Sequence, residues 1–294
     1  MKILISGASG FLGKETALKL QQMGNEVYAL VRRKPQNEKE FYFNPLEREI
    51  DKRAFEGVSV VINFSGESIY GLWTKSKREK ILSSRISTTR FFSEKLVEKK
   101  EKITFISASA VGYYGYKREE KVDENSSKGS GFLADVCDKW EKEALKSEKV
   151  SRVILARLGI VLGKNGGMLK KILPLTKLGF FGRIGNGEQF FPWVAVEEIP
   201  FIFDFLIKNS SLKGAVSIVS PNIVTNRDFA NVLKNVLKKR ELFFLPSLPL
   251  KIFGGKMARE LMLGGVNVFP KVLIQNGYNF HYAELKEYLK FIIC

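Results

Sequence analysis

The stretch of sequence that decides the fold is residues 5–13, which read Ile5-Ser6-Gly7-Ala8-Ser9-Gly10-Phe11-Leu12-Gly13. Its three glycines lie between a predicted strand, residues 2–6, and a predicted helix, residues 11–23. In a dinucleotide-binding fold the first glycine lets the chain turn tightly off the strand, the second leaves room for a diphosphate, and the third lets the helix pack close to the sheet. The N–H groups and the dipole at the helix start favour an anion. The stretch therefore predicts a dinucleotide-binding loop. The alternative is a purely structural turn, since the spacing departs from G-x-G-x-x-G.

Strands and helices alternate through the N-terminal half of the chain. Short apolar runs bounded by turn residues predict strands, and longer amphipathic runs predict helices. The predicted strands are residues 2–6, 26–31, 41–43, 58–64, 103–107 and 152–158, and the predicted helices are residues 11–23, 75–99 and 132–145. This alternation predicts an α/β fold with a doubly wound parallel sheet that is covered on both faces.

The pattern changes after Gly163, where glycine, proline and aromatic residues become more frequent. We expect a dinucleotide-binding Rossmann domain over residues 1–163 and a smaller substrate lobe over residues 164–294. Within this lobe a strand at about 215–219 returns to the sheet, and residues 226–238 form a helix with apolar positions at helical spacing.

Composition narrows the classes of function. The chain has 294 residues and a net charge of 48 − 31 = +17. A histidine-based zinc site or a Ser-His-Asp triad would have to use the single histidine, His281, and no metal site is predicted. Two cysteines, Cys137 and Cys294, are too few for a disulfide scaffold and favour a reducing, cytoplasmic compartment. Without an apolar run of about 18 residues, no membrane-spanning helix is expected.

The positive charge by itself invites a nucleic-acid partner. The lysines, however, are scattered along the sequence, and no basic helix with base-reading spacing and no nucleic-acid-binding motif is visible. A solvated, lysine-rich surface explains the charge better, so no nucleic-acid partner is predicted.

The end of the second predicted strand indicates which dinucleotide binds. An acidic residue there would hold the ribose 2′-hydroxyl of NAD. This strand instead ends in Val31-Arg32-Arg33-Lys34. Guanidinium groups pair with a 2′-phosphate, which a carboxylate would repel. The sequence therefore predicts NADP(H), with Arg32 as the first contact and Arg33 as the second. The alternative is a basic surface loop.

Further motifs make the chain resemble the extended short-chain dehydrogenase/reductase superfamily. The narrower resemblance is to its atypical "epimerase family protein" group, which is also labelled sugar-nucleotide-epimerase-like or cell-division-inhibitor-like. The motifs include Ser6 to Gly13, Val61 to Glu67, Ser84-Arg85 with Thr88-Thr89-Arg90, Ser107 to Gly115, Trp140-Glu141, Arg157 to Gly163, Phe191-Pro192-Trp193 and Ser220-Pro221-Asn222. The resemblance implies a Rossmann-like sheet of about seven strands, a smaller C-terminal substrate lobe that ends in a family-specific segment of about residues 245–294, and bound NADP(H).

The resemblance also implies roles for individual residues. The expected cofactor-binding residues outside the arginine pair are Gly7, Ser9, Gly10, Phe11, Leu12, Gly13, Asn63, Ser65, Gly66, Glu67, Ser107 and Cys137. Ser109 matches the catalytic Ser/Thr after the fifth strand, with Ser107 as the second choice. The expected substrate-binding residues are Arg157, Arg183, Gln189 and Trp193. A structural ion pair is the equal alternative for Arg157, and core packing is the alternative for Trp193.

One departure from the superfamily concerns its proton relay. Most of its enzymes carry Tyr-x-x-x-Lys on the helix after the fifth strand, where the lysine favours the phenolate and also holds the nicotinamide ribose. Anchored on Trp140-Glu141, this chain has Leu133 at the tyrosine position and Cys137 at the lysine position. Tyr113 or Tyr114, in the loop after Ser109, is the proposed substitute donor, and aromatic packing is the alternative.

Three functions follow from these features. The first is an NADP(H)-dependent oxidoreductase or epimerase that acts on a carbonyl or sugar-nucleotide-like small molecule. The second is a non-catalytic NADP(H)-binding sensor or interaction protein, which the missing Tyr-Lys pair supports and which includes a cell-division role. The third, nucleic-acid binding, rests on charge alone. The chain is expected to be a monomer or a homodimer.

Overall fold

The computed structural model describes residues 1–179, 182–239 and 245–293, so Cys294 lies outside the described residues. The strands are β1 (Lys2–Ser6), β2 (Glu26–Val31), β3 (Glu40–Asn44), β4 (Glu49–Ile50), β5 (Val58–Asn63), β6 (Thr104–Ala110), β7 (Lys117–Val122), β8 (Arg152–Leu158), β9 (Ile160–Leu162), β10 (Trp193–Ala195), β11 (Gly214–Ile218) and β12 (Gly265–Val268). The helices are α1 (Phe11–Gln22), α2 (Lys75–Lys99), α3 (Phe132–Leu145), α4 (Gly167–Lys177), α5 (Glu198–Lys208), α6 (Asn226–Val236), α7 (Ser247–Leu261), α8 (Lys271–Gln275) and α9 (Leu285–Ile293).

The main sheet places β1 at its centre. Across the described residues its strand order is β11-β8-β6-β5-β1-β2-β3-β4, and every pairing is parallel except that of β3 with β4. The chain runs from β1 out to β4 and then returns to β5 on the other side of β1. Ligands of open α/β sheets bind in the crevice at such a reversal, beyond the carboxyl ends of the strands.

The seven predicted strands correspond to the seven parallel strands of this sheet, so the predicted Rossmann-like α/β fold is confirmed. The two-residue strand β4 is an addition, because a segment so short has no periodicity to detect. Alternate residues of β1 supply different cores, as period-two side chains must. Ile3 and Ile5 pack with Phe203 of α5, whereas Leu4 packs with Phe91 and Phe92 of α2.

The C-terminal part of the chain builds a third core of its own. Strands β9 and β10 pair in parallel, and their residues Leu162 and Trp193 pack with Phe229 of α6 and Leu289 of α9. Strand β12 pairs in parallel with β7, which ties residues 265–268 to the segment after β6. Among the helices of the described ranges, none has both the length and the apolar character needed to cross a membrane.

Candidate cofactor and active site

The glycine-rich loop turns off the end of β1 and leads directly into α1. Gly7 adopts φ +73°, a left-handed conformation that only glycine takes up readily. The N–H of Gly10 donates to the carbonyl oxygen of Gly7 at 3.0 Å, which closes the turn. A Cβ atom at Gly13 would lie 2.2 Å from that same oxygen. The first and third glycines therefore have the tight-turn and close-packing functions expected of them.

The start of α1 fits an anion such as a diphosphate. Gly10 is the N-cap residue, and no side chain of the described residues caps the helix there. Ser9 and Gly10 are exposed, and a Cβ on Gly10 would meet only the Gly7 carbonyl oxygen within 4 Å. Uncapped N–H groups at a helix start, reached through open space over a glycine, are what a bound phosphate requires.

Phe11 and Leu12 turn their side chains away from this opening. Leu12 packs against the main core. The Phe11 ring lies against Gly163 and Gly166, where added Cβ atoms would approach it to 2.7 and 2.2 Å. The glycine-rich loop is thereby packed against the turn between β9 and α4. Any cofactor contact of these two residues is expected to use their backbone N–H groups.

The two arginines after β2 differ in their environment. Arg33 forms a bidentate pair with Glu40 of β3, with N–O distances of 2.6 and 2.8 Å. The hydrogen bonds that Arg33 donates to Glu40 raise the pKa of Arg33. Arg32 is exposed, and no carboxylate of the described residues pairs with it. Its guanidinium is therefore the better placed of the two for a 2′-phosphate.

Asn63, at the end of β5, ties the elements around the loop together. Its Oδ1 accepts from Ser6 Oγ at 2.6 Å and from Ser65 N at 3.1 Å, and its Nδ2 donates to Thr89 Oγ1 at 3.0 Å. Because the amide is buried and bonded on both sides, Asn63 positions the loop after β5, in which Gly66 is exposed.

Glu67 has its carboxylate paired with Lys77 at 2.6 Å, and the hydrogen bond to this lysine lowers the pKa of Glu67. Its backbone carbonyl accepts from Arg85 Nη1 at 2.9 Å. Two cations of α2 therefore hold the loop after β5 at Glu67.

Ser109 lies at the end of β6 in a buried polar network. Its hydroxyl donates to Glu141 Oε1 at 2.6 Å. Arg157 donates to both oxygens of Glu141, from Nε at 2.9 Å and from Nη2 at 2.8 Å, and is only 4% exposed. Burial opposes the charge of Arg157, but the hydrogen bonds and charge of Glu141 outweigh burial and raise the pKa of Arg157. Arg157 is thus engaged in the ion pair that the sequence left as its alternative role.

The two tyrosines after Ser109 both contact Arg157 but differ in burial. Tyr114 is fully buried; its hydroxyl accepts from Arg157 Nη1 at 3.0 Å and lies 3.0 Å from Ser217 Oγ. Burial raises the pKa of Tyr114, which opposes the phenolate form. Tyr113 is partly buried, and the Arg157 guanidinium lies 3.6 Å from its ring centre. Of the two, Tyr113 is the more accessible candidate donor.

Cys137, at the position where the resemblance expects the relay lysine, is buried behind Gly112. Burial raises the pKa of this thiol to about 12, so it stays protonated at neutral pH. Ser107, also buried, faces Asn63 across the β5–β6 pairing. The N–H of Leu133, at the former tyrosine position, donates to Glu260 Oε2 of α7 at 2.9 Å. The C-terminal segment thus reaches the start of the site helix α3.

Of the proposed substrate residues, Arg157 lies in β8 of the main sheet and the other three lie in the lobe. Arg183 is exposed. Gln189 donates through Nε2 to the carbonyl oxygens of Ile184 and Met262, at 3.2 and 2.9 Å. Trp193 is 1% exposed and stacks on Tyr288 with ring centres 5.7 Å apart. The structure thus brings Gln189 to α7 and places Trp193 in the third core.

Two charged residues near the site were not assigned a role from the sequence. Glu141 belongs to the Trp140-Glu141 motif, for which the resemblance implied no role. Its position four residues after Cys137, on one helix face, indicated that it lies on the side of α3 that faces the candidate site. Arg85 belongs to the Ser84-Arg85 motif, but it lies in the middle of a long, highly charged helix, where its spacing indicated no particular role.

Family models match two stretches of the chain. The model described as "NAD dependent epimerase/dehydratase family" matches residues 3–219. A second, described as "Domain of unknown function (DUF1731)", matches residues 245–292. The first covers the main sheet from β1 through β11, and the second covers α7, β12, α8 and most of α9.

Individual relatives match over nearly the whole chain. Epimerase family protein ML0860 of Mycobacterium leprae is 35% identical over 291 residues, which are 98% of this chain and 94% of that protein. Epimerase family protein YfhF of Bacillus subtilis is 32% identical over 300 residues, covering 100% of this chain and 98% of the relative.

The crystal structure of human epimerase family protein SDR39U1 (isoform 2) with NADPH has a TM-score of 0.90 to this chain. The two are 27% identical, and 99% of each is covered. A nucleoside-diphosphate sugar epimerase from Corynebacterium glutamicum has a TM-score of 0.81 at 28% identity; the match covers all of this chain and 58% of that one. The solved relatives therefore share both the sheet and the lobe.

Proposed function

The chain belongs to the NAD dependent epimerase/dehydratase family, and from this premise we propose that it binds NADP(H) and acts as an oxidoreductase or epimerase on a carbonyl or sugar-nucleotide-like small molecule. The observation that carries the proposal is the uncapped start of α1 behind Gly7 and Gly10. The NADPH in the human SDR39U1 structure and the exposed Arg32 support the phosphorylated form of the cofactor.

When bound, such a cofactor supplies or accepts a hydride, and the protein supplies binding and orientation. The N–H groups at the start of α1 hold the diphosphate, and Arg32 holds the 2′-phosphate. Ser109 meets the reacting oxygen of the substrate. Because its own hydrogen is committed to Glu141, Ser109 meets that oxygen as an acceptor, which favours a substrate alcohol over a carbonyl.

The bound alcohol donates its one O–H hydrogen in a hydrogen bond to Ser109, and this proton has to leave the oxygen as the hydride is transferred, so a proton acceptor is needed at that step. Tyr113, whose ring centre lies 3.6 Å from the Arg157 guanidinium, is the proposed group, because it is the more accessible of the two tyrosines. Tyr114 is the second choice, since burial raises its pKa and opposes that form.

Two measurements test this function. NADPH and NADH are titrated against the protein by fluorescence, and the chain is expected to bind NADPH more tightly. Oxidation and reduction are then followed over a panel of alcohols, carbonyls and sugar nucleotides, with Ser109→Ala and Tyr113→Phe as variants. Tighter NADH binding would overturn the cofactor assignment, and turnover unchanged in both variants would overturn the residue roles.

A non-catalytic NADP(H)-binding protein is the second candidate, and the burial of Ser109 favours it. The serine is 2% exposed, and apolar Leu133 replaces the relay tyrosine. Stoichiometric NADPH binding without turnover of any panel member, together with a protein partner recovered in a pull-down, would favour this candidate over the enzyme.

We further propose a monomer or homodimer in a reducing, cytoplasmic compartment, without a nucleic-acid partner. The free, buried Cys137 is consistent with reducing conditions. Sedimentation velocity would measure the assembly, and a filter-binding assay with DNA and RNA at low salt, where nonspecific binding is strongest, would detect a nucleic-acid partner.

A further inference from the structure

We propose that Arg85 of α2 supplies the cation at the nicotinamide ribose that the lysine of Tyr-x-x-x-Lys supplies in other superfamily members. The proposal rests on the NADP(H) binding proposed above and gives a cofactor-binding role to a residue to which the sequence analysis assigned none. Cys137 stands where that lysine is expected, so α3 provides no cationic side chain at this position.

The Arg85 guanidinium is held by backbone carbonyls. Its Nη1 donates to the carbonyl oxygens of Glu67 at 2.9 Å and Ile81 at 3.0 Å. The nearby Glu67 carboxylate is paired with Lys77. No carboxylate of the described residues forms an ion pair with Arg85, so its charge is fixed in position without a bound counter-charge. Burial lowers the pKa of Arg85, which marks a cation kept largely from water.

Arg85 lies against the face of α3 that would carry the lysine. Its Cζ is 5.1 Å from the ring centre of Trp140. Trp140 follows Cys137 by three residues, so both side chains lie on one face of the helix. The charge of Arg85 also acts on the Cys137 thiol, where it opposes the rise in pKa that burial causes. The Arg85 cation of α2 thus lies near the position at which other superfamily members carry the lysine on the corresponding helix.

The same guanidinium lies against Gly66, in the loop beside the proposed cofactor crevice. A Cβ atom on Gly66 would lie 3.2 Å from Arg85 Cζ, so this glycine leaves the space that the guanidinium occupies. Gly66 is exposed in the loop after β5, next to β1 at the reversal of strand order. Ligands of this fold bind along that loop.

Arg85 also has donors left for a ligand. Within the described part of the chain, Nη1 is the guanidinium nitrogen that has protein acceptors, which leaves the N–H groups of Nε and Nη2. Two N–H groups of a planar fork match a pair of ribose hydroxyl oxygens. The family's lysine has two tasks, and Arg85 takes over only the holding of the ribose, because Leu133 provides no phenol for the other.

The test compares two ligands that differ in the nicotinamide ribose. NADPH contains it, and adenosine 2′,5′-bisphosphate lacks it. In Arg85→Gln the Kd for NADPH is expected to rise about tenfold or more, as for loss of a hydrogen bond to a charged group, with less than about twofold change for the bisphosphate. Lys80→Gln, exposed on the same helix, is the control for loss of one charge and is expected to change neither Kd.

Arg85→Lys keeps the positive charge but lacks the planar pair of N–H groups. Its affinity for NADPH is expected to lie between those of wild type and Arg85→Gln. This variant replaces Arg85→Gln if the glutamine variant does not fold. Equal weakening of both ligands would show that Arg85 only supports the loop and would overturn the proposal, as would unchanged affinity for NADPH. If wild-type protein binds NADPH no more tightly than the bisphosphate, the nicotinamide half adds nothing to the affinity. That result would overturn the role of Arg85 but not the proposed function. Wild-type protein that binds neither ligand would overturn the proposed function as well.

Discussion

Ser109 donates its hydroxyl hydrogen to Glu141 over 2.6 Å, and this bond determines what the serine can offer a substrate. Glu141 is held in turn by both arms of Arg157. A serine whose hydrogen is committed to a buried carboxylate presents lone pairs, so it accepts from an alcohol more readily than it donates to a carbonyl. The same three groups stabilise the end of β6 against α3 and β8.

Replacing the carboxylate of this network is expected to destabilise the fold. Glu141→Gln leaves the buried Arg157 without its counter-charge, and removing one partner of a buried ion pair costs about 3–5 kcal/mol. Urea unfolding followed by circular dichroism measures the change. Asp138→Asn breaks a more exposed pair with Lys142 on the same helix and is expected to cost less than about 1 kcal/mol. A Glu141→Gln protein as stable as Asp138→Asn would contradict the prediction.

The two arginines after β2 are expected to contribute unequally to cofactor choice. Arg32→Gln should raise the Kd for NADPH about ten- to a hundredfold and leave that for NADH unchanged, because only NADPH carries the 2′-phosphate. Arg33→Gln should raise the Kd for NADPH less, since both terminal nitrogens of Arg33 already donate to Glu40. Fluorescence titration of both nucleotides measures this difference. A larger effect in Arg33→Gln, or equal loss of NADH binding in Arg32→Gln, would refute it.

Alanine at two glycines of the phosphate loop should separate folding from binding. In Gly13→Ala the new methyl would overlap the Gly7 carbonyl oxygen, and such overpacking costs about 1–3 kcal/mol or more. In Gly10→Ala the methyl has one close neighbour and otherwise projects into the space proposed for the diphosphate. Thermal melts should therefore shift mainly for Gly13→Ala, while the Kd for NADPH rises about tenfold in Gly10→Ala. An unchanged Kd in a folded Gly10→Ala protein would count against this site.

The pairing of Glu143 predicts a pH dependence of stability. Hydrogen bonds from Arg90, at 2.8 and 3.0 Å, lower the pKa of Glu143 below its ordinary value, although burial opposes the shift. The unfolded chain therefore binds the proton more readily, so the stabilisation is present above the ordinary pKa of about 4.3 and is lost as the pH falls through the lower, folded-state value. Glu143→Gln should cost about 1 kcal/mol at pH 7 and progressively less below about pH 4.

Urea unfolding at a series of pH values compares this variant with wild type. Glu94→Gln is the control, because it removes a carboxylate from the more exposed pair with Arg48 on the surface of α2. A difference between wild type and Glu143→Gln that stays constant down to pH 3 would show that the carboxylate is not stabilised in its charged form.

Local sequence pattern was enough for most of the main sheet. Strands β1 and β8 begin and end where apolar runs predict, because burial on both faces of a parallel sheet leaves a continuous apolar run, and helices α2 and α3 begin and end where longer amphipathic runs predict. The helix α7 was missed: Gly255 interrupts it at φ 52°, and proline and glycine in the segment obscure the helical period. The β7–β12 pairing joins segments far apart in sequence, which no local pattern reveals.

The sequence alone therefore determined the parallel α/β sheet and the glycine-rich loop at its centre, since both depend on residue types at short spacing, whereas the departure from the Tyr-Lys pair rests on the family resemblance. Only the tertiary structure decided how the polar side chains are used. Ser109 meets a carboxylate 32 residues away, Arg33 is taken up by Glu40, and Tyr114 is buried under Arg157. Hydrogen bonds and desolvation depend on which groups the fold brings together, and those neighbours lie on different elements.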